Sequence, residues 1–154
     1  MKKLAAVVLC AVFAFFAFGA NNFGANSFNG TWKLDVKKSD FSKSSDGAPR
    51  EVTLTLRENG WTWASTDANG KKENIVFDNR ANTFPGDDKI SIKYEPTTNP
   101  SVSDIRFSQK DSGKEVMRAL CTLLPDGNTL VIYGSGVNPD SKQWSDVSYY
   151  TRVK

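Results

Sequence analysis

Three observations in the 154-residue chain predict an all-β fold, a single up-and-down antiparallel β-barrel of 8–10 strands. Apolar and polar residues alternate at period two in one segment after another. Short turns rich in Gly, Asn, Asp and Pro separate those segments. Beyond the first twenty or so residues, no stretch repeats at the helical period of about 3.6 residues.

Residues 1–20 have the layout of a secretory signal peptide. Lys2 and Lys3 supply the positive start, Leu4 to Phe18 is an uncharged run, and Ala17-Phe18-Gly19 offers small residues for cleavage after Gly19 or Ala20. The run is shorter than the ~20 residues that span a bilayer, which disfavours an uncleaved anchor. Cys10 follows Leu9, where a lipidated cysteine needs a small residue, so lipidation is excluded. The expected location is therefore exported, periplasmic or secreted, with membrane contact only through the signal peptide. Residues 21–27 form a polar lead-in, and residues 28–154 form the barrel domain.

The strands follow in order. Trp32, Leu34 and Val36 share one face of the first, ahead of a turn at Ser39-Asp40-Phe41 and a loop from Ser42 to Pro49. Val52, Leu54 and Leu56 alternate with Glu51, Thr53 and Thr55 in the second. Glu58-Asn59-Gly60 marks a hairpin because Asn-Gly accepts the positive φ angles of a tight turn. Trp61-Thr62-Trp63 opens the third strand, Asp67-Ala68-Asn69-Gly70 closes it, and Ile75 and Phe77 mark the fourth. Asp78 to Asp88 reads as irregular. Ile90, Ile92 and Tyr94 alternate in the fifth strand, and Ser103, Ile105 and Phe107 in the sixth, after a loop from Glu95 to Ser101. Lys114 to Leu124 is apolar in both phases, so its inward face is left open. Pro125-Asp126-Gly127-Asn128 turns the chain into Thr129 to Ser135, Gly136 to Lys142 loops, and Gln143 to Val153 ends it. These are nine strand candidates, and hairpin connections order them as antiparallel neighbours.

Composition narrows the chemistry. The formal charge of +3 falls to about +1 once Lys2 and Lys3 leave with the signal. No basic cluster longer than a pair exists, so a nucleic-acid partner is not expected. Export discards Cys10 and leaves Cys121, which excludes an internal disulfide; among Met117, Ala119 and Leu123 it reads as a buried small hydrophobe. About 135 mature residues bury roughly two-thirds of their unfolded surface, enough for one core. The chain has no histidine, which removes the usual general base and the commonest transition-metal ligand. Gly134-Ser135-Gly136 lacks the strand-turn-helix setting of a nucleophile elbow and reads as the start of a loop. Asp87-Asp88 read as turn residues, and Asp67-x-Asn69-Gly70 is too short for a calcium loop. Asn29-Gly30-Thr31 is a glycosylation sequon, meaningful only in a eukaryotic secretory pathway. No catalytic residue, metal ligand or cofactor is expected.

Gly30-Thr31-Trp32 on a first strand resembles the G-x-W signature of lipocalins and their calycin relatives. The longer run to Phe41, Pro49, Thr66-Asp67-Ala68-Asn69-Gly70-Lys71 and Pro125-Asp126-Gly127-Asn128-Thr129-Leu130 resembles exported bacterial lipocalin-like proteins. That resemblance implies the fold, and it implies that Arg152 near the end of the last strand covers Trp32 to close the barrel. The chain lacks the disulfides and C-terminal helix of secreted lipocalins and the two-helix lid of fatty-acid-binding proteins, so their ligand specificities do not follow.

Nine strands about 4.8 Å apart and tilted about 40° close a ring roughly 56 Å round and about 18 Å across. Facing sheets fill about 10 Å with side chains, so a cavity is permitted and not required. Its candidate lining is Trp63, Phe77, Ile92, Phe107 and Tyr149; the same residues suit a filled core equally well. Arg118 would hold a ligand carboxylate if it faces in, and is a solvated strand residue if it faces out. The expected partner is a small apolar molecule, with or without a carboxylate. The alternative is a solid-core module that contacts another protein through the loops Ser42 to Pro49, Asp78 to Asp88 and Glu95 to Ser101.

Overall fold

The structure is a computed structural model describing residues 28–43, 48–57, 60–78, 83–85, 87–95, 97–137 and 141–154. The signal peptide and the lead-in expected over residues 1–27 lie outside the described residues. Ten strands form one antiparallel sheet: β1 (Gly30–Leu34), β2 (Glu51–Arg57), β3 (Gly60–Thr66), β4 (Lys72–Asp78), β5 (Thr83–Phe84), β6 (Asp87–Glu95), β7 (Val102–Gln109), β8 (Glu115–Leu123), β9 (Thr129–Val137) and β10 (Gln143–Arg152). No helix occurs among the described residues.

Sheet order is β4-β3-β2-β1-β10-β9-β8-β7-β6-β5. Consecutive strands pair except β4 with β5, and β1 pairs β10 through Trp32↔Arg152, Lys33↔Thr151 and Leu34↔Tyr150. The expected closed sheet is corrected at one place. β4 and β5 are the two ends of the strand order, so a seam without a ladder runs between them and the barrel is nearly closed. β5 is the tenth strand, inside the stretch read as irregular; two residues carry no period to detect.

Local chemistry sets the turns. Asp67 Oδ1 accepts from the backbone N–H groups of Asn69 and Lys71 while Gly70 takes φ +80°, which makes the β3–β4 connection a hairpin. Asp126 Oδ1 accepts from Asn128 N and Thr129 N, with Gly127 at φ +65° between β8 and β9. β1 ends earlier than expected. Asp35 Oδ1 accepts from the backbone of Lys37 and Lys38, which turns the chain and leaves Val36 47% exposed and off the inner face. The line of β1 resumes at Asp40, which bridges to Val147.

The core follows the inward phase of each strand: Trp32, Val52, Leu54, Trp61, Phe77, Ile92, Ile105, Phe107, Cys121, Leu123, Leu130 and Tyr150 are buried there. At one end Trp32 is fully buried, and the Arg152 guanidinium carbon lies 4.0 Å from its ring centroid. Arg152 also donates to Asn29 O and Gly127 O, and Trp32 Nε1 donates to Phe28 O at 3.0 Å. Gly30 takes φ +136°, and a Cβ there would stand 2.7 Å from Arg152 Nη1. The G-x-W spacing is thus a packing requirement, since the guanidinium occupies the space a side chain at residue 30 would need.

Candidate functional site

The inner face of the sheet lines a cavity of about 230 Å³ that is partly open to the outside. Leu54, Trp61, Trp63, Ile75 and Phe77 line it from β2, β3 and β4. Phe84, Ile105, Phe107, Met117, Ala119, Cys121 and Ile132 line it from β5, β7, β8 and β9. No charged or hydroxyl side chain belongs to that lining.

Period two explains the wall. Trp61 and Trp63 share a face of β3 and meet at 6.3 Å, edge to face. Trp61 lies directly opposite Phe77 on β4, and the two rings stack at 4.0 Å and 14°. Phe77 meets Phe84 at 6.1 Å, and Phe84 meets Phe107 at 5.9 Å, both edge to face. This aromatic chain crosses the seam that backbone hydrogen bonds do not. Trp61 Nε1 donates to the Tyr94 hydroxyl on β6, a further link between the two sides of the seam. Burial pushes the Tyr94 phenol up to about 12, so it stays a neutral partner.

Of the residues expected to line the interior, Trp63, Phe77 and Phe107 do so. Ile92 is buried beside Phe107 on the same face, in the core but outside the cavity wall. Two placements are corrected. Arg118 points outward, because Met117, Ala119 and Cys121 take the inward phase of β8. It grips Asp104 with two hydrogen bonds, Nε to Oδ1 at 2.9 Å and Nη2 to Oδ2 at 2.6 Å. Tyr149 also faces outward, because Tyr150 and Arg152 take the inward phase of β10. Trp32 and Arg152 come together as expected.

The sequence reading missed Trp61, two residues before Trp63 and therefore on its face. It also missed Phe84, which no periodic signal marks. Gly136, expected to open a loop, lies instead within β9, as does Gly134. A Cβ at Gly136 would meet Val116 O at 2.5 Å and Trp144 Nε1 at 2.9 Å, so the two glycines make room for the Trp144 indole.

Nothing in the wall is poised for covalent chemistry. Burial pushes the Cys121 thiol up to about 12, which leaves almost no thiolate at neutral pH. The arrangement suits burial of apolar surface and offers no fixed charge to a ligand.

No protein-family model matches the chain, and no curated protein matches it in sequence. Among solved structures the chain is similar to the zebrafish ileal bile acid-binding protein complexed with cholic acid. The identity is 12% and the TM-score 0.50, covering 83% of this chain and 100% of that one. At that identity the likeness speaks for architecture: the chain has the calycin-type, lipocalin-like fold, an all-β, nearly closed barrel of ten antiparallel strands.

Proposed function

We propose that this chain is an exported lipocalin-like binding protein that holds a small, uncharged apolar molecule inside its barrel. The observation that carries the reading is the 230 Å³ cavity inside the barrel, whose lining side chains carry no charge and no hydroxyl. A filled core would leave no such space. The volume exceeds the ~150 Å³ apolar cavity that takes up benzene and falls short of the ~300 Å³ typical of drug-sized pockets. The matching ligand is therefore a single ring with small substituents or a short hydrocarbon chain. Export is supported by the sequence features of residues 1–20.

The ligand carboxylate considered from sequence loses the residue meant for it, since Arg118 is engaged with Asp104 on the outside. Non-enzymatic function rests on the apolar wall and the protonated Cys121. The interaction-module alternative gains no specific support, because the interior is hollow.

Calorimetric titration with the neutral single-ring probe n-propylbenzene tests this reading. Saturable binding at one site is expected, with loss on the substitution Ala119→Trp, whose indole takes up much of the cavity. Absence of saturable binding, together with a ligand-free native mass spectrum, would sink it.

A further inference from the structure

We propose that Phe84 is the partition of this site: it sets both access to the cavity and the length of the molecule held there. This refinement rests on reading the barrel as a container. Outside the β4–β5 seam lies a cleft of about 490 Å³, lined by Val76, Asp78, Thr83, Phe84, Pro85, Asp87 and Asp88. Phe84 belongs to both walls, the cavity's and the cleft's. The Phe84 ring therefore stands between the apolar interior and this cleft.

The rest of the wall, from β4 round through β1 to β5, is joined by backbone ladders. A molecule crossing there must break strand pairing. At the seam it must displace only side chains. Phe84 is well placed to move, because it sits on a two-residue strand with a register shift between Thr83 and Phe84. Pro85 follows it and has no N–H to donate. Its ring is held by edge contacts with Phe77 and Phe107. Rotation of the ring loses those two contacts, leaves every ladder intact, and joins the cavity to the cleft.

The cleft also speaks to ligand chemistry. Asp78, Asp87 and Asp88 line it, and Lys110 Nζ donates to Thr83 Oγ1 at 2.8 Å. An uncharged end passes this rim more readily than a carboxylate does, so uncharged n-alkanols are the fitting probes.

Cys121 lines the cavity and reports access without any bound ligand. In the full chain, modification of Cys121 by methyl methanethiolsulfonate is followed by mass spectrometry of its peptide. We expect Phe84→Ala to accelerate modification about tenfold or more, given the two ring contacts it removes. Phe84→Leu should be intermediate and keeps the test alive if the alanine variant fails to fold. Val52→Ala, a buried truncation outside the cavity wall, should stay within about twofold of the parent, as expected if only local access changed. In parallel, affinity for n-alkanols should stop rising at a longer chain in the Phe84 variants than in the parent.

Equal modification rates in parent and folded Phe84 variants would overturn the proposal. So would equal acceleration by Val52→Ala, or an unmoved chain-length limit. If no alkanol binds any variant, the container reading and the length limit fall together, while Cys121 modification still decides access.

Discussion

At Gly30 the missing side chain is the functional feature. Its φ of +136° strains any side chain there, and a Cβ would push Arg152 Nη1, 2.7 Å away, off its seat over Trp32. Gly30→Ala is expected to destabilise the fold by about 1–3 kcal/mol, read as a lowered urea midpoint with unchanged slope. A second residue-scale expectation concerns Arg118 and Asp104. Hydrogen bonding from Arg118 holds the Asp104 carboxyl below its ordinary value. A depressed folded value stabilises above the unfolded value of about 3.9, and that gain fades as pH falls through the lower folded value. The Arg118 side chain is 40% exposed, so solvent screens the pair and limits its worth to about 1 kcal/mol. Asp104→Asn should therefore lose roughly that much at pH 7 and converge with the parent in acid, by urea titrations at several pH values. Arg118→Ala should leave propylbenzene binding unchanged, because the guanidinium lies outside the barrel.

Among the elements, the seam separates what the strand pattern reveals from what it hides. Nine strands were legible because turn chemistry bounds each of them and alternation marks most. β5 was not, since a two-residue strand beside Pro85 has no period. The inward phase of β8 was undecidable from sequence because both phases are apolar. The phase of β10 was decidable and was misread. Arg152 over Trp32 fixes the even-numbered residues inward, which selects Tyr150 and rejects Tyr149. Element-scale predictions follow from the same seam. Among the described residues no strand pairs with the outer edge of β4, so its amides should exchange faster than those of β9, which is paired on both sides, by hydrogen exchange with mass spectrometry. Uniform protection of β4 and β9 would argue for a fully closed sheet. Trp61→Phe keeps the ring stack and removes the N–H that reaches Tyr94, leaving a half-buried hydroxyl short of that partner. A loss of about 1–3 kcal/mol is expected in urea unfolding.

For the whole molecule, sequence sets the barrel and leaves its volume open. Strand count and tilt gave a ring wide enough for a cavity, but emptiness depends on how side chains from all walls meet. Here the balance is visible in named residues. Ala119 contributes only a methyl group to the wall where larger residues would fill it, and the aromatic chain from Trp63 to Phe107 holds the walls apart. The most direct check is a crystal of the ligand-free protein pressurised with xenon, an atom that enters dry apolar cavities. The account expects a xenon site bounded by Trp63, Phe77, Met117 and Ile132. An interior without xenon, with those side chains in mutual contact, would contradict it.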